Sequence, residues 1–216
     1  VATIPGTGAD ELWLIVNRTI NGSTKRYVER MSEGLSDTGS IATANYYDSY
    51  LRYSGSATTT ISGLSHLEGE SVRVWSGVEQ GPFTVTSGAI SGLTTSVTSA
   101  CVGLVFASVI ETLSPEAGSA GGTAQTRQGK STDIYLRLNR SVNGFAGPHD
   151  GTLELLNYTD NIDNVGDYGV PGTMYTGDVR VPIEMGWNRQ KRLKSVRGTG
   201  GPFHVLGVIS EIRVSG

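Results

Sequence analysis

Short runs in which every second residue is apolar, cut by glycine-bearing turns, constrain this chain more than any other feature. Ile134, Leu136 and Leu138 alternate with Asp133, Tyr135 and Arg137; Val179, Val181 and Ile183 alternate with Arg180 and Pro182; Val72 and Val74 flank Arg73. A period of two belongs to an extended strand with one face buried. Near the end, Leu206, Val208, Ile212 and Val214 share one parity and Glu211 and Arg213 take the other, which predicts a terminal strand or a strand pair. The sharpest local signal is Asn21-Gly22, between the runs Leu12–Val16 and Arg26–Met31. Asn-Gly accepts positive φ at both positions, as a two-residue hairpin turn requires. Tyr46 to Tyr53 is the one stretch rich enough to weigh as a helix, and its four tyrosines with Gly55 suit a strand equally well. Thirty glycines in 216 residues, about twice the usual ~7%, favour many tight turns and penalise helices. The expected class is all-β, mainly antiparallel sheets with little helix.

The length suits one domain or two small ones. Ser114 to Thr132 (SPEAGSAGGTAQTRQGKST) has little to bury and reads as a boundary or one long surface loop, and Ser32 to Ala44 reads as a smaller loop. No internal repeat recurs at a fixed period, which argues against a solenoid or a propeller within this chain.

The net charge of −3 and pI near 5.6 argue against tight, sequence-independent DNA binding through an overall basic surface. A single cysteine, Cys101, forms no internal disulfide and stands in an expected apolar strand, Ser99 to Val105, where a free cysteine behaves as a buried small hydrophobe. This composition fits intracellular synthesis better than secretion. No run approaches the length of a membrane-spanning helix, and Val1 to Asp10 has neither a basic start nor an apolar signal core. Membrane insertion is not expected. The four Asn-x-Ser/Thr matches at Asn17, Asn21, Asn139 and Asn157 therefore read as chance.

The chemical motifs are sparse. No Gly-x-Ser-x-Gly occurs, the three histidines (His66, His149, His204) lie far apart, and no phosphate-binding Gly-x-x-x-x-Gly-Lys-Ser/Thr is present. Gly198 to Gly201 reads as a turn. A glycosidase needs two carboxylates across a sugar site, and no sequence pair nominates them. Asp160, Asp163 and Asp167 form the densest acidic cluster, with spacing that fails the calcium-loop pattern. In His66-Leu67-Glu68-Gly69-Glu70, an imidazole and two carboxylates lie within five residues. They would share a face if extended, but Gly69 favours a structural turn before the Ser71–Trp75 strand. Trp187 to Arg197 carries Arg189, Lys191, Arg192, Lys194 and Arg197 with no acid, a candidate electrostatic contact to a phosphate backbone or an acidic neighbour. The plainer reading is an exposed arm whose charges are solvated.

Three stretches together carry a resemblance. The first is Asp10–Arg18 with its hairpin partner Arg26–Met31. The second is Ile61–Trp75, with Leu64-Ser65-His66-Leu67-Glu68-Gly69, followed by Val102–Leu113. The third is Gly201-Pro202-Phe203 with Val205–Ile212. The chain resembles the tail nozzle, or tail tubular protein B, family of short-tailed bacteriophages and related prophages, over most of its length outside Ser32–Ala44 and Ser114–Lys130. The family's nozzle proteins are considerably longer, so the chain corresponds to their C-terminal part, a diverged minimal version or an excised fragment. Pro202-Phe203 departs from the family's apolar turn, and ring contacts are not carried over residue by residue.

The resemblance implies a virion structural protein made in the bacterial host cytoplasm. It would be a subunit of a ring, usually of six, that meets the tail adaptor and other tail proteins and passes genome DNA through its lumen without reading sequence. It implies no catalysis and no cofactor. It also places a small β-barrel at 59–113, between an N-terminal hairpin segment (1–58) and, beyond a 114–131 loop, a C-terminal β segment (132–216) that packs with the first. In such a ring the Asp133–Arg140 strand and the edge hairpins would pair or pack between subunits. The alternative is a carbohydrate- or receptor-binding tail component, with Tyr46, Tyr47, Tyr50 and Tyr53 stacking on sugar rings.

Overall fold

The computed structural model describes residues 1–32, 34–35, 39–114, 127–142, 144–156, 174–183, 185–189, 192–197 and 200–214, with backbone alone at 132, 197 and 214. The protein is all-β, with antiparallel pairing throughout the described strands and, among the described residues, only two short 3₁₀ turns, at Ile41–Thr43 and Ser65–Leu67. Among the described residues no helix is long and apolar enough to cross a membrane. The chain divides into two compact units, Val1–Phe106 and Ala107–Gly216.

The first unit contains β1 (Ala2–Ile4), β2 (Glu11–Ile20), β3 (Ser23–Arg30), β4 (Asp48–Thr58), β5 (Thr60–Ser62), β6 (Ser71–Trp75), β7 (Glu79–Thr84), β8 (Ala89–Ser91) and β9 (Val97–Leu104). β1, β2 and β3 form one sheet, and its hairpin turns on Asn21 (φ 48°) and Gly22 (φ 72°) as the Asn-Gly pair predicts. The remaining strands form two ladders, β4-β9-β6-β7 and β5-β8. A small barrel is expected over 59–113, whereas the pairings describe these two ladders around one core. That core holds Ile61, Leu64, Leu67, Val72, Val74, Val85, Ile90, Leu93, Val97, Ala100 and Val102, joined by Ile20 from the end of β2. Because β4 pairs with β9, residues 48–58 belong with the following strands as well as with the hairpin before them.

The central strand β9 is covered on both faces. Ala100 and Val102 join the core, while Cys101 and Gly103 face the segment around Ile41–Tyr47. Strands buried twice lose the period-two signature. Trp75 donates its indole N–H to Ile41 O (2.8 Å), and Arg52 reaches Ala42 O, Asn45 Oδ1 and Ser99 Oγ. Burial pushes the Cys101 thiol up to about 12, which makes it the inert hydrophobe expected from its setting.

The second unit contains β10 (Val109–Glu111), β11 (Gly129–Ser141), β12 (Gly144–Pro148), β13 (Glu154–Leu155), β14 (Tyr175–Pro182), β15 (Leu193–Arg197) and β16 (His204–Val214). They form the sheets β14-β11-β16 and β10-β15-β12-β13. β10 thus leaves the expected 59–113 module to pair with β15, and the unit boundary falls ahead of the 114–131 loop. Alternation is obeyed in β11 and β14: Ile134, Leu136, Leu138, Val179 and Val181 are buried together. Asp133, Tyr135, Arg137, Asp178 and Arg180 lie on the opposite face by alternation. The C-terminal run is one strand, and its parity slips. A register shift opposite Arg137/Leu138 sends Val205 and Val208 toward the core and leaves Leu206 exposed. β11 is central, paired on both edges, so the Asp133–Arg140 strand has no edge left for pairing between subunits. Only its outer face is open to packing.

Gly103 tests how closely the first unit is fitted. A Cβ there would stand 2.7 Å from Asp48 O, in the β4–β9 ladder, and 2.8 Å from Tyr47 Cβ, the buried residue just before it. Gly103→Ala is expected to cost roughly 1–3 kcal/mol by overpacking, measured as a lower urea midpoint on Trp fluorescence; an unchanged midpoint would refute the close fit.

Candidate functional site

The His66–Glu70 segment joins several parts of the first unit. Leu64 and Leu67 are buried in the core, and Gly69 (φ 80°) makes the turn. The Glu68 carboxylate accepts hydrogen bonds from the backbone N–H groups of Ser87 (2.8 Å) and Gly88 (2.7 Å), and Glu70 Oε1 accepts from the N–H of Asn21 (2.7 Å) in the hairpin turn. His66 Nε2 lies 2.8 Å from Ser49 O, and Tyr27 donates its hydroxyl to His66 O (2.7 Å) with its ring edge-on to the imidazole. The structural-turn reading holds: the three side chains point to three different neighbours. Among the described residues no group of three or more His, Cys, Asp or Glu side chains is placed to hold a metal ion.

Beside this segment lies an open groove of about 590 Å³. β3 contributes Tyr27 to Arg30, the segment 45–50 contributes Asn45, Tyr46, Tyr47, Asp48, Ser49 and Tyr50, and Met31, Ser32, Gly34, His66 and Phe106 complete the wall. Its floor is ionic. Arg18 donates two hydrogen bonds to Glu29, Nε to Oε1 at 2.9 Å and Nη2 to Oε2 at 2.8 Å, and a longer one to Asp48 at 3.4 Å; Ser49 Oγ donates to Glu29 Oε1 at 2.8 Å. The hydrogen bonds from Arg18 hold the Glu29 carboxyl below its ordinary range, against burial, with Ser49 and the charges of Arg18 and His66 adding to the effect. Ser49 is a non-glycine residue at φ 51°, inside a register shift of the β4–β9 ladder between Asp48 and Leu51.

The tyrosine cluster divides. Tyr46 and Tyr50 line the groove half-buried. Tyr47 is 4% exposed with its hydroxyl on Glu79 (2.9 Å), and burial pushes its phenol pKa up. Tyr53 packs against the core. Sequence reasoning names these tyrosines but misses Arg18, Glu29 and Ser49. The available signal was Asp48-Ser49, two residues tolerant of turn geometry, set inside a tyrosine-rich strand.

The basic stretch is partly internal. Leu193–Arg197 is β15, an inner strand rather than an arm. Arg192 donates to Glu111 Oε2 (2.8 Å) and Thr112 O (3.0 Å), and His149 Nδ1 contacts Glu111 Oε1. The Glu111 carboxyl is held below its ordinary range, first by His149, with the charges of Arg192, His149 and Lys194 adding against partial desolvation. Arg189 is exposed, while Lys191 and the Arg197 side chain lie outside the described residues, as do Asp160, Asp163 and Asp167. No protein-family model and no curated protein matches the chain.

The Glu29 network carries a pH dependence of defined sign. Its folded pKa is depressed, so its contribution is full above the unfolded value of about 4.3 and is lost as pH falls through the lower folded value. Glu29→Gln is expected to be less stable at neutral pH and to lose less stability on acidification below about pH 4, measured by denaturant titration across pH; parallel profiles for both proteins would refute the assignment.

Proposed function

We propose that the chain is a structural subunit of a phage tail, assembling with copies of itself into a ring, on the nozzle pattern a hexamer, through which DNA leaves the virion. The observation that carries this reading is the outer face of the β1-β2-β3 sheet. Ile4, Trp13, Ile15 and Val28 share that face by register and alternation, and Ile15 and Val28 stand directly opposite each other, 68% and 69% exposed. A small sheet gains little stability until an apolar face is covered, and contiguous exposed apolar surface marks association sites. The residues of the family-like stretch suit the same reading: His66, Glu68 and Glu70 hold turns together. Neighbours in this reading are the tail adaptor and other tail proteins, with DNA passing unread.

Arg189 and Lys194 are the described members of the basic stretch proposed to meet an acidic neighbour, since Arg192 is engaged with Glu111. Their neutralisation slows association at low salt, where screening is weakest.

The test is the mass and symmetry of the full chain by light scattering and electron microscopy. A closed ring is expected, with the double substitution Ile15→Lys/Val28→Lys dissociating it while the thermal transition persists. A compact monomer at every concentration would overturn the reading.

A further inference from the structure

We propose that the groove beside β3, rimmed by Tyr46, Tyr50 and Phe106, binds a neutral oligosaccharide. This goes beyond assembly: the proposed ring contact uses the Ile15 and Val28 side chains, on the opposite face of the β1-β2-β3 sheet from Tyr27 and Glu29, and Val28 alone of the ring-contact residues also borders the groove.

The groove has a held wall. Ser49 sits in the left-handed region, where a non-glycine residue persists only if its surroundings over-determine it. It is gripped on both sides: its hydroxyl donates to Glu29, and its carbonyl meets His66, whose ring is in turn braced by Tyr27. The accompanying register shift re-aims the strand at Asp48–Tyr50, the use to which bulges beside binding sites are put. Tyr46 is seated as firmly: its ring lies where a side chain on Gly34 would be, 2.8 Å from an added Cβ, and the Asn45 N–H donates to Gly34 O at 2.7 Å.

The chemistry on this wall selects the ligand. A volume near 590 Å³ lies within the range of small-ligand sites, roughly 300–1,000 Å³, and the groove is open, which suits a chain over an enclosed single ring. Tyr46, Tyr50 and Phe106 offer aromatic surfaces, two of them with hydroxyl tips. Asn45 and Asp48 add planar polar groups that engage neighbouring hydroxyls. Pyranoses present that combination, with C–H faces between rims of hydroxyls. Charge argues for neutrality. Glu29 and Asp48 share Arg18, and Arg30 pairs with Glu11 at 2.7 Å. Counting carboxylates against guanidiniums leaves a surplus of one acid, which disfavours an anionic sugar, and the acids that a cationic peptide would need already have guanidinium partners.

The test uses the full chain and saturation-transfer NMR with titration calorimetry against chitotetraose, maltohexaose and mannotetraose. An oligogalacturonate serves as the anionic control and a Lys/Arg-rich decapeptide as the competing occupant. Saturable binding of at least one neutral oligosaccharide is expected. Tyr50→Ala and Tyr46→Ala should weaken it at least about tenfold, the order of one lost buried aromatic contact, while Tyr50→Phe and the remote Tyr135→Ala retain it. Should an alanine variant lose its native melting transition, Asp48→Ala takes its place with the same expected loss. The proposal is overturned if no neutral oligosaccharide binds, if binding ignores these substitutions, or if only the decapeptide binds.

Discussion

The first unit depends on seven residues, Leu64 to Glu70, that hold its parts in one register. Leu64 and Leu67 enter the core, each worth about 1.5–3 kcal/mol of burial. Between and beyond them, Glu68 and Glu70 direct carboxylates at turns distant in sequence, and each charged hydrogen bond to a backbone amide contributes roughly 1.5–3 kcal/mol. The backbone ties the same regions: Leu64 N–H to Gly88 O, Gly69 N–H to Val85 O and Val85 N–H to Glu70 O. The β2–β3 hairpin, much of it exposed, is fastened to the body near its turn by Ile20, the Tyr27 hydroxyl and the Asn21 amide. Loss of the segment would therefore release the hairpin and the 85–88 turn together.

The second unit is held differently. β11 buries one face of alternating side chains between β14 and β16 and lays ion pairs on the other, Arg137 with Asp178 and Arg180 with Asp133. Exposed pairs of this kind contribute little, about 0–1 kcal/mol each, so the core carries the stability. Close approach supports it at Gly144, where an added Cβ would stand 2.4 Å from the Phe203 ring. Gly201-Pro202-Phe203 thus sets an aromatic ring against a strand that has no side chain at that point, and Val142 N–H bonds to Pro202 O at 2.8 Å.

What was legible in the sequence follows from these two modes of packing. Strands with one wet face announce themselves, so β11 and β14 were readable from their alternation, and the hairpin from Asn21-Gly22. β9 was legible as an apolar strand, Ser99–Val105, but without the alternation that would assign its faces, because both are covered. The slip at Leu206 was hidden because a bulge leaves no residue-type signature there. The unit boundary was misplaced because it depends on β10 pairing with β15, a contact some eighty positions away in the chain. The groove was legible in its rim and not in its floor. Tyrosines suggest a surface by their type alone, whereas Arg18, Glu29 and Ser49 acquire meaning only when the fold brings positions 18, 29 and 49 together.

His66 joins the two themes. Its backbone belongs to the segment that organises the unit, and its ring supports Ser49 at the groove wall. Arg18, outside the groove's lining, and the lining residues Glu29, Tyr27 and His66 are committed to one another and to backbone, so changing any of them disturbs fold and groove alike. Asn45, Tyr46 and Tyr50 line the same groove. A site whose outer groups rest on a separately braced inner layer can change what it recognises without giving up the structure that positions it. That framework depends on Ser49 keeping its left-handed backbone, because its hydroxyl meets Glu29 and its carbonyl meets His66, while Asp48 beside it joins Arg18, on the strand that carries Tyr50.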